Sequence, residues 1–134
     1  MAALRYFNPN PKRKRAFDCV VRAICAVTGR DWDSVYTDVV IQGFSDKDMP
    51  SVNSVWRAYL RRLGFSMDVI PNTCPDCYTV EDFADDHKTG RYVLGTGDHA
   101  VAIVEGEVLD VFDSRQEIPI YYFYKEDKSD GDST

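Results

Sequence analysis

FDCVVRAI, residues 17–24, reads as the first turns of a helix with a cysteine at its tip. Asp18 is placed as an N-cap, its carboxylate accepting from first-turn N–H groups. Val20, Val21, Ile24 and Val27 recur at helical spacing, so one side faces a core. Cys19 falls in the first turn, where unpaired N–H groups and the helix dipole favour an anion. A thiolate is such an anion, and thiolates so placed have lowered pKa values. Lys12, Arg13, Lys14 and Arg15 lie just upstream and push the same way. Read alone, Cys19 is equally a small buried apolar residue. Its chemistry depends on partners farther along the chain.

The helix from Cys19 ends near Thr28-Gly29, with Gly29 as its C-cap. Asp31 caps a second helix over about 32–42 that Gly43 ends, with Trp32, Val35, Val39 and Ile41 inward. Ser51 caps a third over about 52–63, striped by Val52, Val55, Trp56, Tyr59, Leu60 and Leu63. FSMDVI, 65–70, alternates as a strand does, and Thr79 caps a short helix to about His87, with Asp82 three residues on as an imperfect capping box. Strands are expected at 91–95, 99–105, 107–112 and 117–125, and Pro119 puts part of the last at a sheet edge. Helices first and antiparallel strands afterwards define an α+β fold, N-terminal helices packed on a C-terminal antiparallel sheet.

The 134 residues make one domain, expected over 1–125, with an acidic, disordered tail at 126–134. A formal charge of −6 argues against nucleic acid as partner, because phosphate contacts need a basic face. No apolar run approaches the ~20 residues that span a bilayer, and no secretory h-region is present. The chain is therefore expected in the cytoplasm, away from membranes, with its four cysteines reduced.

The order of reactive residues is itself chemically suggestive. A helix with a cysteine at its N-terminus comes first, and His99 opens a strand after the turn GTGD, 95–98. The next strand ends in FDS, with Asp113. A thiol nucleophile needs a base within hydrogen-bond reach and a third group to hold the imidazole. A three-residue hairpin turn at 105–107 sets His99 opposite Asp113. A two-residue turn, Glu105-Gly106, sets His99 opposite Phe112 and leaves Asp110 as the competing third member. Asp113 is preferred, because a carboxylate beyond a strand end can curl back to the ring.

DCVVRAI and GDHAVAIVEGEVLDVFDS, taken together, resemble the papain-like cysteine peptidase superfamily. The chain is similar in particular to small papain-like proteins of bacteria and their phages, over roughly residues 8–124. The resemblance implies a catalytic triad of Cys19, His99 and Asp113, with no cofactor and a peptide or protein as substrate. Many members place a Gln ahead of the Cys as oxyanion donor. Residues 12–17 here are KRKRAF, which leaves Asn10 or Asn8, with the backbone N–H of Cys19, for that task.

Cys74 and Cys77 form a C-x-x-C in a Pro-containing loop. His87 would be a third zinc ligand but no fourth is evident, so the pair is read as ordinary loop and no metal is assigned. Cys25 reads as core. The expectation is a thiol hydrolase of an amide or related acyl bond. The rival is a non-catalytic papain-like scaffold that binds a peptide or protein in the same cleft.

Overall fold

The computed structural model describes residues 1–125; the expected disordered tail, 126–134, lies outside the described residues. Four helices and a six-stranded mixed sheet are arranged in the order β1 (Leu4–Tyr6), α1 (Cys19–Thr28), α2 (Trp32–Asp46), α3 (Asn53–Arg62), β2 (Phe65–Val69), α4 (Val80–Asp86), β3 (Arg91–Gly95), β4 (Ala100–Val104), β5 (Glu107–Asp110) and β6 (Tyr121–Lys125). The strands lie in the order β1-β5-β4-β3-β6-β2. Every pairing is antiparallel except β1 with β5, which is parallel. The wholly antiparallel sheet expected from the sequence is corrected by that one edge. Three residues of extended N-terminus, Leu4 to Tyr6, join the sheet by pairing with Val108 to Asp110.

Alternation along the strands sorts the core onto two faces. Val93, Ala100, Ala102, Leu109 and Phe123 pack with Ile24, Val35, Val55, Trp56 and Leu60 from the first three helices. Leu94, Val101, Ile103 and Val108 pack with Val80, Phe83 and Ala84 on the other side. The helix carrying Cys19 thus lies on one face and α4 on the other. Ile24 is fully buried, which stabilises the α1–sheet contact by roughly 1.5–3 kcal/mol.

Several elements differ locally from the sequence reading. α2 runs through Gly43 to Asp46, and a side chain at Gly43 would meet the carbonyl oxygen of Asp48 at 2.8 Å. That glycine admits the returning chain instead of ending the helix. Ile41 faces outward. Val52, not Ser51, is the N-cap of α3. β6 begins only at Tyr121 and lies between β3 and β2, so Pro119 precedes an interior strand and marks no edge. The capping box of α4 forms as expected, with Thr79 and Asp82 exchanging bonds. Among the described residues no helix is long and apolar enough to cross a membrane.

Candidate active site

Cys19 is the first residue of α1, and the apolar face that begins at Val21 anchors the helix on the sheet. Its thiol faces the His99 ring and the backbone N–H of Ala100, and both favour the thiolate. The start of β4 therefore supplies both the imidazole and a fixed donor. His99 Nε2 meets Asp110 Oδ2 at 2.7 Å. The ring is shielded on one side by Phe112, at 4.9 Å between centroids.

The third residue differs from the expected Asp113. β4 and β5 pair Val104 with Glu107 and Ile103 with Val108, so the turn is the two-residue Glu105-Gly106. Both turn residues have positive φ, +50° and +79°, which suits the twist of a tight hairpin. Continuing the register puts Phe112 opposite His99 and Asp110 two residues inward, opposite Val101, from where it reaches the ring diagonally. Asp113 points away; its carboxylate is exposed and held by Arg115 at 2.9 Å.

Asp110 is 2 % exposed, and both its oxygens are occupied. Oδ1 accepts from Arg22 Nη2 at 3.1 Å and from the N–H of Val111 at 2.8 Å. Oδ2 takes the Ser114 hydroxyl at 2.7 Å as well as His99. Arg22 is a buried cation within the apolar run of α1. Its other arm reaches Asp18 at 2.5 Å, and Asp18 in turn accepts from Trp32 Nε1 at 2.9 Å. Asp18 is thus spent on Arg22 and Trp32, and its side chain does not cap α1 as the sequence reading expected. Sequence reasoning missed Arg22. The signal available was its spacing: an arginine four residues after an aspartate, on a helix otherwise apolar.

Charge is arranged around the pair accordingly. Burial pushes the Cys19 thiol up, but the His99 bond, the Ala100 N–H and the His99 and Arg22 charges outweigh it, and the pKa falls below the ordinary 9.0. Burial pushes His99 down, but Asp110 and Cys19 outweigh it and raise the imidazole to about 10. Asp110 is lowered: burial opposes ionisation, and the His99 and Ser114 bonds overcome it. A thiolate–imidazolium pair backed by a carboxylate is the state these shifts favour. Cys25, six residues along the same helix, behaves oppositely. Burial, Asp31 and Asp18 push its thiol up to about 12.

The pair opens on a cleft of about 630 Å³. Its walls are α2, through Tyr36, Val39 and Val40, and the segment from Arg15 to Arg22; Phe112 and Asp98 lie beside His99. Neither Asn8 nor Asn10 lines it. Asn8 donates to the Lys14 carbonyl, and the Asn10 side-chain oxygen accepts from the Lys12 N–H. The two asparagines shape the arm ahead of α1.

The remaining sequence candidates lie apart. Cys74 and Cys77 form a disulfide, where reduced thiols were expected. Thr73 folds the loop back on itself through Asp76 and Tyr78, bringing the two Cα atoms to 4.1 Å. His87 stacks on Phe83 and its Nδ1 bonds the Phe83 carbonyl oxygen, on the α4 side of the sheet. Among the described residues no three His, Cys, Asp or Glu side chains gather as metal ligands. Comparison with protein-family models, with curated proteins and with solved structures found no match for this chain.

Proposed function

We propose that the chain is a papain-like thiol hydrolase that cleaves an amide or related acyl bond in a peptide or protein. The observation that carries this reading is the relay Cys19–His99–Asp110 at the mouth of a cleft. The Cys19 thiolate attacks the carbonyl carbon, and the carbonyl electrons move onto oxygen. Collapse of that intermediate expels the amine, which takes its proton from the His99 imidazolium. Water then attacks the thioester, giving a proton to His99, and the acid leaves as the thiolate is restored. Asp110 stays ionised throughout and holds the ring.

The developing oxyanion falls to the first-turn N–H groups of α1, which no side chain caps. A second reading, a binding scaffold of the same build, is favoured by the placement of Asn8 and Asn10 outside the cleft. The test is single-turnover reaction with an activated acyl ester, followed by intact mass. A covalent acyl adduct on Cys19 that forms with the wild type and disappears in His99→Ala supports the hydrolase. No adduct on Cys19, with the ester merely bound, supports the scaffold.

A further inference from the structure

We propose that the Cys19 cleft and the surfaces beside it bind a polypeptide segment that carries bulky apolar side chains next to a run of acidic residues. The inference rests on the hydrolase reading only for where the bond is cut; the docking itself does not need turnover. Trp32, Tyr36, Val40 and Phe44 recur every four residues along α2 and so share one face. Trp32 and Tyr36 stack at 4.8 Å, while Tyr36, Val40 and Phe44 are exposed. Tyr36 and Val40 are also cleft wall, so the stripe continues the cleft outward from Cys19. Phe17 adds a fully exposed ring at the cleft's other rim. Exposed apolar surface that runs unbroken into a cleft marks a contact site.

Charge supplies the second half of the partner. The chain carries −6 overall, yet Lys12, Arg13, Lys14 and Arg15 are all exposed, and Arg15 reaches the rim. None of the four is in an ion pair among the described residues. One cation at the rim of an apolar cleft, with three more in the arm leading to it, complements carboxylates that flank an apolar anchor and steers such a segment toward the site. A charged lipid surface would use the same cations and rings. The cleft, which admits a chain and not a bilayer, favours the polypeptide.

The experiment measures fluorescence anisotropy of a labelled peptide, with Leu and Phe flanked by four Asp or Glu residues, on the full chain carrying Cys19→Ala. Tight binding is expected. It should weaken by about tenfold or more when the acids become amides, or when residues 12–15 are all changed to Glu, and should weaken with added salt. Val40→Asp should weaken it as well, and the peptide should protect wild-type Cys19 from iodoacetamide. Equal binding of the amide peptide overturns the proposal. So does binding only to vesicles containing phosphatidylserine, or displacement of the probe with equal affinity by a peptide of residues 126–134. Binding without cleavage by the wild type keeps the docking and removes the hydrolase; cleavage of neutral peptides without this binding does the reverse.

Discussion

Arg22 on α1 and Asp110 at the end of β5 meet at 3.1 Å, although 88 residues separate them in the chain. The same guanidinium holds Asp18 beside the thiol, so one buried cation ties the Cys19 helix to the carboxylate behind the imidazole. Removing it would leave two carboxylates buried and short of a partner. Arg22→Ala is expected to cost about 3–5 kcal/mol, read as a fall in the urea midpoint. Arg22→Lys keeps the charge but cannot fork to both acids, and should recover part of that loss. A midpoint unchanged in Arg22→Ala would show that the cation is not needed to hold the two acids.

The third residue is open to direct exchange. Asp110→Asn removes the charge that keeps His99 protonated while leaving an acceptor of similar shape. Cys19 alkylation at pH 6 should then slow by about tenfold or more, as expected when one unit or more of pKa support is lost. Asp113→Ala, at an exposed site paired to Arg115, should leave both that rate and the urea midpoint unchanged. The reverse pattern would return the role to Asp113.

How much of this was legible in the sequence depended on where the information lay. Cys19 and His99 were readable because each stands at the start of a regular element: an apolar helix in one case, an apolar strand after a glycine turn in the other. The choice between Asp110 and Asp113 hung on one residue of turn length. Glu-Gly is a weak signal for a tight hairpin, because Glu105 must take φ +50° without the side chain of Asn or Asp to favour it. β1 was invisible for another reason. Leu4-Arg5-Tyr6 has no pattern of its own and becomes a strand only by pairing with β5, about a hundred residues away. Asp18 looked like a cap because caps are local, whereas its real partners, Arg22 and Trp32, are set by packing.

The two free thiols should separate cleanly. Cys19 is lowered and half-buried at a cleft, and Cys25 is buried with its thiol pushed up to about 12. Iodoacetamide at pH 6–7 should label Cys19 and leave Cys25 untouched, and His99→Ala should slow the labelling by removing the bond that favours the thiolate. Peptide mapping that finds Cys25 modified first would contradict the geometry.

Coupling between Cys19 and His99 has a signature in stability against pH. His99 is raised from 6.5 to about 10, so on its own it stabilises fully below 6.5 and loses that contribution as pH climbs toward 10. Cys19 is lowered from 9.0, so its contribution is present above 9 and is lost as pH falls through its folded value. Above about pH 9 the unfolded pair has lost both protons, while the folded imidazole keeps its own up to about 10, so stability falls there as pH rises. Below 9 the lowered thiol works the other way, because the unfolded chain keeps on its thiol a proton that the folded thiol gives up more readily. Cys19→Ala removes that offset. Its urea midpoint should decline as pH rises from about 6.5, because His99, still held up by Asp110, keeps a proton that the unfolded imidazole has released. A Cys19→Ala midpoint that does not fall between pH 6.5 and 9 would mean that His99 is not protonated in the fold.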